Sequence, residues 1–297
     1  MRKIEKSRNL KGFLPVLAVF FILSSCGSSS ALPPRSVEES ISPSAEPSIE
    51  SSADQSIEPS LEVSSEHTLT DREKIVEYMY QMSQVTWTPK ENIIYYQNDP
   101  SKVFRKDETY IGLPYTMESG RTTIMNDPLN GFINVLDSNY VYKGPTAYTK
   151  YYGSDCSSSV YASWKNSGYE TNAIYTGAMI PGENSLISTI GNYNYSSRSD
   201  MTKSICEANG SEIMYTCYEK LQPGDAVVRR VKSGSSWAGH VRLVTGVDII
   251  NKEVTVIEQC GYGIDNQTTT TWRVNKKYSF YSLFVNNYIP IKPANLN

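Results

Sequence analysis

The tyrosines and tryptophans of this chain are confined to one part of it. Residues 1–69 contain three phenylalanines and neither tyrosine nor tryptophan, whereas the 22 tyrosines and four tryptophans all follow. Each aromatic ring brings about 150–250 Å² of buriable surface, and a polar stretch without such surface cannot offset the entropy of ordering its backbone. The sequence therefore predicts one folded domain over residues 70–297, behind a leading segment that builds no core of its own. With 297 residues, of which 39% are hydrophobic, a sizeable core is possible, but not over the whole length.

The leading segment divides again. Arg2, Lys3, Lys6, Arg8 and Lys11 come first, followed by the apolar run Phe13 to Leu23. That run is too short to span a bilayer comfortably and matches the core of a secretory signal. It ends in Leu23-Ser-Ser-Cys26, which resembles the bacterial lipobox, whose cysteine is acylated and becomes the first residue of the mature protein. The resemblance implies a lipoprotein signal over residues 1–26, lipidation of Cys26, and an extracytoplasmic domain held at the bacterial cell membrane. Acyl chains supply roughly 0.8 kcal/mol per buried methylene. An ordinary uncleaved membrane anchor is the alternative. Residues 27–69 are rich in Ser, Glu and Pro, with the near-repeats Ser44-Ala-Glu-Pro-Ser48 and Ser56-Ile-Glu-Pro-Ser60, and read as a disordered tether.

The formal charge of −3 is distributed unevenly. Glu38, Glu39, Glu46, Glu50, Asp54, Glu58, Glu62 and Glu66 face only Arg35 in the tether, and the basic excess lies at the very start. What remains for the domain is close to neutral. It lacks the cationic surplus that gripping a phosphate backbone demands, so nucleic acid is not an expected partner.

Within the domain, Thr70-Asp-Arg-Glu73 has the form of a capping box, and Ile75, Val76, Met79 and Met82 recur on one face, predicting an amphipathic helix that ends near Thr86. The pattern from Trp87 to Tyr152 is mixed and predicts no definite elements. Cys156 to Asn166 reads as a helix with Val160 and Trp164 on its inner face, stopped by Gly168. A long polar stretch follows, and then Leu221-Gln-Pro-Gly-Asp225 reads as a turn. Strands are predicted at 226–230, 240–249, 253–260, 269–274 and 283–289, the second and third joined at Asn251-Lys252. A helix first and antiparallel strands later predict an α+β domain.

Chemistry is constrained by scarcity. The chain has two histidines, and His67 lies in the tether, so any Cys–His chemistry of the domain uses His240. Of the five cysteines, Cys206, Cys217 and Cys260 sit in contexts without an activating feature. Cys156 follows Gly153-Ser-Asp155 and opens a predicted helix, where the dipole and unpaired N–H groups favour thiolate. Cys206 and Cys217 are spaced unlike a zinc pair, so no metal is expected. A disulfide between them stays open for an exported domain.

Three segments in order, Tyr152-Gly-Ser-Asp-Cys-Ser157, Leu221-Gln-Pro-Gly-Asp225 and Gly239-His-Val241, resemble the NlpC/P60 peptidoglycan endopeptidases, papain-like cysteine enzymes of bacterial envelopes. The similarity covers roughly residues 110–262. It implies a papain-like fold with the nucleophile-bearing helix packed on an antiparallel sheet, Cys156 as nucleophile, and His240 as base. The third, imidazole-orienting residue falls at Glu258 or Gln259, with Glu258 favoured by analogy with CHAP amidases. Gly112-Leu-Pro-Tyr115 resembles a segment whose tyrosine lines the site, so Tyr115, Asp155 and Ser157 are expected at the substrate. Ser158-Ser159 and the long intervals between motifs depart from the family pattern. The implied partner is a peptidoglycan stem peptide, with no cofactor, acting as a monomer. A CHAP-type amidase or acyltransferase on the same fold is one alternative, and a non-catalytic wall-binding lipoprotein is another. The tyrosine excess is read as core filling ahead of glycan stacking.

Overall fold

In the computed structural model the first helix, α1 (Asp71–Gln84), starts where its sequence says it should. Thr70 accepts from the Glu73 N–H while the Glu73 carboxylate accepts from the Thr70 N–H, a reciprocal cap. Ile75, Met79 and Met82 on its inner face are fully buried. The structure describes residues 68–95, 99, 101–117 and 119–297, within a compact unit that spans Glu66–Asn297. The expected lipobox at Cys26 and nearly all of the tether lie outside the described residues.

A short three-stranded sheet follows, made by β1 (Thr86–Pro89), which pairs antiparallel with β4 (Tyr110–Ile111) and parallel with β5 (Val141–Tyr142). Between them, β2 (Ile93–Ile94) and β3 (Val103–Phe104) form a two-stranded ribbon, and α2 (Ser119–Ile124) and α3 (Pro128–Ile133) precede β5. This is the region whose sequence pattern predicted nothing definite. Its order comes from an aromatic cluster: Trp87 lies 5.2–5.9 Å, ring to ring, from Phe104, Tyr110, Phe132 and Tyr142. Such contacts join residues far apart in the chain and leave no periodicity to read.

The second helix to be predicted, α4 (Cys156–Asn166), has the expected bounds. Val160 and Trp164 are fully buried, and Gly168 ends it with φ +96°. The polar stretch beyond it, to which the sequence reading assigned no element, contains β6 (Ile187–Thr189) and the 18-residue helix α5 (Met201–Tyr218). The helical period was hidden because α5 breaks at Gly210 (φ 72°, ψ 170°). Ile205 and Cys206 are therefore buried on one side of the break, and Met214, Cys217 and Tyr218 on the other.

The main sheet has six strands in the order β10-β9-β8-β7-β11-β6, each antiparallel to its neighbour. They are β7 (Ala226–Ser233), β8 (Ser236–Asp248), β9 (Glu253–Gln259), β10 (Trp272–Ser279) and β11 (Ile289–Pro293), together with β6. The predicted strand over 283–289 is corrected. Residues 280–285 form the helix α6 (Phe280–Val285), capped by Ser279, whose Oγ accepts from the Ser282 N–H, and the strand begins only at Ile289. Phe280 and Leu283, three apart, are its buried positions, so an aromatic-rich run that suits a strand serves here as one helical turn. The strand expected over 269–274 likewise runs from Trp272 to Ser279. Six α-helices among the described residues and antiparallel main-sheet pairing make this an α+β domain. Among the described residues no helix is long and apolar enough to cross a membrane.

The Leu221–Asp225 turn joins the layers. Gly224 (φ +88°) takes a backbone shape that favours glycine, its N–H bonds the Val244 carbonyl, and its own carbonyl accepts from the Trp164 indole at 2.8 Å. Asp225 is buried and accepts from the Gln222 N–H and from Arg72 of α1 at 2.9 Å. One turn thus pins α1 and α4 to the same stretch of β8. The tyrosines divide: Tyr110, Tyr142, Tyr151, Tyr161, Tyr193, Tyr218 and Tyr288 are buried, while Tyr140, Tyr175 and Tyr281 stand in solvent.

Candidate active site

Cys156 is the first residue of α4, and its surroundings are fixed by contacts close in sequence. Asp155 caps the helix, accepting from the Ser158 N–H at 2.7 Å, while the Ser158 hydroxyl accepts from the Asp155 N–H at 2.8 Å. The same carboxylate pairs with Arg121 at 2.9 Å and accepts from the Ser157 hydroxyl at 3.0 Å. Asp155 and Ser157, expected at the substrate, are both buried, and their hydrogen bonds are directed into the helix start. Gly153 allows the chain to enter there: a Cβ at this position would lie 2.1 Å from the Pro114 carbonyl oxygen. Tyr115 follows that contact, in a bridge with Ser154, and its phenol is raised well above its usual range chiefly by burial.

His240 lies on β8 and Glu258 on β9, with 2.5 Å between His240 Nε2 and Glu258 Oε2. Glu258 is completely buried and saturated with donors. Oε2 also accepts from Arg242 Nε at 2.9 Å, and Oε1 accepts from Arg273 at 3.3 Å and from the Tyr278 hydroxyl. Burial alone would push this carboxyl up, but the Arg242 guanidinium and the bond to His240 hold it well below the usual carboxylate range. A carboxylate only accepts, so Nε2 carries a proton and Nδ1 is left as the ring's basic nitrogen. Arg242 is itself held between two rings, 3.6 Å from the Tyr278 centroid and 4.1 Å from that of Tyr288.

The two candidates for the orienting position are separated by the pleat. Adjacent strand residues point to opposite faces. Gln259 exchanges hydrogen bonds with Ser154 Oγ, at 2.5 Å, and the Leu113 carbonyl, at 2.9 Å, on the side where the chain enters α4. Glu258 takes the imidazole.

The sulfur of Cys156 lies against the backbone N–H groups of Val241 and Ser157. It therefore meets β8 at the residue that follows His240. Among the described residues no hydrogen bond joins the Cys156 and His240 side chains. The expectation that the helix start favours thiolate is corrected. The thiol is 6% exposed, and burial, followed by the Asp155 charge, pushes it up to about 12 against the pull of those two N–H groups. A helix dipole contributes about 0.3–1 kcal/mol at ordinary sites, less than the cost of burying a charge.

Cys260 stands near the imidazole. His240, Glu258 and Cys260 offer one nitrogen, oxygen and sulfur each within 4.8 Å of one another, and Arg273 lies 3.7 Å from the Cys260 sulfur. These donors do not suit a metal. Both Glu258 oxygens already accept bonds, and the guanidiniums of Arg242 and Arg273 occupy the space around it. Cys156, Cys206, Cys217 and Cys260 are all free thiols, so the possible Cys206–Cys217 disulfide is not formed. A cavity of about 420 Å³ opens beside β10, lined by Ile111, Thr270, Trp272, Arg273 and Lys276 among others, and reaches neither Cys156 nor His240.

Cys156, His240 and Glu258 were named from the sequence, whereas Arg242, Arg273 and Tyr278, which bond Glu258, and Arg121, which bonds Asp155, were not. Arg242 had a readable signal, being two residues from His240 on the same strand and so on the same face. Arg273 and Tyr278 had none, because their approach to Glu258 depends on the register of β10 with its bulge between Arg273 and Lys276. Comparison of the chain with protein-family models, with curated proteins and with solved structures returns no match.

Proposed function

We infer that this chain is a cysteine hydrolase of the cell envelope that cleaves amide bonds in peptidoglycan stem peptides. The observation that carries the reading is the buried Glu258 carboxylate holding His240 by Nε2, with the Cys156 thiol against the next residue of the same strand. In this reading the domain is of the papain-like NlpC/P60 type and hangs from the membrane by acylated Cys26. His240 Nδ1 accepts the thiol proton as the sulfur attacks the amide carbonyl, forming the C–S bond. His240 then delivers that proton to the departing amine as the C–N bond breaks. Water, deprotonated by the same nitrogen, releases the acyl group from the sulfur. A thiol held near 12 is not ionised at rest, so proton transfer belongs to the attack itself, and substrate binding must bring imidazole and sulfur into reach. The helix-start N–H groups at Cys156 and Ser157 are the available donors for the oxyanion.

One observation favours a second reading: Cys260 lies within 4.8 Å of a His240 nitrogen, so the same dyad could serve that thiol. Digestion of purified peptidoglycan by the full chain, with mass analysis of the products, tests the proposal and names the bond cut. New amino and carboxyl ends within stem peptides are expected. An unchanged digest rejects the hydrolase reading in favour of a non-catalytic wall-binding protein, and release of intact stems from the glycan points instead to a CHAP-type amidase.

A further inference from the structure

Among the described residues, Arg121, Arg242 and Arg273 near the site are each paired with a carboxylate. Arg242 and Arg273 bond Glu258, Arg273 also forks onto Asp265 through two bonds of 2.7 Å, and Arg121 pairs with Asp155. Arg229 has no such partner. In the ladder between β7 and β8 it sits directly opposite His240, so the two side chains share a face of the sheet. Extending the β7–β11 register by one step sets Tyr288 on its other side, and the Tyr288 and His240 rings meet edge to face at 6.5 Å. The Arg229 Nε is buried with no hydrogen-bond acceptor, and among the described residues no carboxylate reaches its guanidinium. Its neighbour Arg230 points to the opposite face, where it bonds Thr176 at 3.2 Å. A buried guanidinium N–H without an acceptor is costly and rare. Here it stands opposite the imidazole, whose carboxylate partner Glu258 already accepts bonds on both oxygens.

We propose that Arg229 is a substrate-recognition residue that takes a free carboxylate of the acyl substrate, placing that carboxylate beside the scissile amide held at His240. The guanidinium fork matches a carboxylate with two parallel bonds. The proposal rests on the hydrolase reading for its location and refines the substrate class to amides carrying a nearby free carboxylate.

The test measures binding rather than turnover. Acetyl-alanyl-alanine and its C-terminal amide are titrated by NMR into the full chain carrying C156A, and then into C156A/R229M and C156A/R229K. With Arg229 present, the free acid is expected to bind about ten- to a hundredfold more tightly than the amide, the size of a charge-assisted hydrogen bond. R229M should abolish that preference and R229K should retain part of it. Equal binding of acid and amide by the Arg229-bearing chain, no binding of either, or a preference that survives R229M overturns the proposal. If R229M does not fold, the acid–amide comparison on the Arg229 chain and on R229K decides. A chain that prefers the acid yet digests no peptidoglycan refutes the hydrolase reading and leaves the carboxylate site standing.

Discussion

The two halves of the candidate site are built in opposite ways. On the cysteine side, most of the bonds are local: Asp155 to Ser157, Ser158 to Asp155 and Ser159 to the Cys156 carbonyl, all within three residues. On the histidine side, every bond to Glu258 spans fifteen residues or more, drawing Arg242 from β8 and Arg273 and Tyr278 from β10. The local half forms with its helix and shields a neutral thiol. The long-range half exists only when three strands pair in register, and it holds a charge. The cysteine is thus placed by secondary structure and the histidine by tertiary structure, and damage to each should look different.

The sharpest separation comes from removing the reacting groups. C156A and H240A should each lower peptidoglycan cleavage on the order of 10⁴-fold or more, with little change in the thermal unfolding midpoint. A large loss of stability in H240A would mean that the imidazole is chiefly a structural partner of Glu258. E258Q should next cost about 3–5 kcal/mol in denaturant unfolding, because it leaves the buried cation Arg242 without its counter-charge, while Arg273 keeps Asp265. On the local side, D155A should cost less, about 1–2 kcal/mol from the lost cap, together with the loss of the Arg121 pair.

Acidity separates the halves by sign. Glu258 ionises below its usual range in the folded chain, so its contribution to stability is present above the unfolded carboxyl pKa and is lost as pH falls through the folded value. Cys156 is raised from 9.0 to about 12. Its contribution is complete below about pH 9 and is lost as pH rises toward 12. Iodoacetamide should accordingly alkylate Cys156 far more slowly in the folded chain at pH 8 than in the unfolded chain, as read by peptide mass mapping. Equal rates would show an open, ionisable thiol and erase the contrast drawn above. At the small end, T70A should cost about 1 kcal/mol through the α1 cap, a change that touches neither half.

The same contrast explains what the sequence made legible. The capping box at Thr70, the Gly168 stop and the Leu221–Asp225 turn are signals carried by residues within a few positions of one another, and the elements they predict are present. The α5 helix was missed because Gly210 interrupts its period, and α6 because Phe280-Tyr-Ser-Leu-Phe-Val285 suits a strand as well as a single helical turn. Uniqueness singled out His240. The choice between Glu258 and Gln259 could not be made from residue order, since one residue of register exchanges their faces. The Trp87 cluster and the Arg273–Tyr278 arm of the site are products of long-range pairing.

The central claim is that the sulfur of Cys156 carries the acyl group in a reaction served by His240. Acid-quenched mixtures of the full chain and peptidoglycan fragments, digested and mapped by mass spectrometry, test it directly. An acyl adduct on the peptide bearing Cys156, absent in H240A, is the predicted result. An adduct on Cys260 instead, or cleavage that continues in C156A, contradicts it.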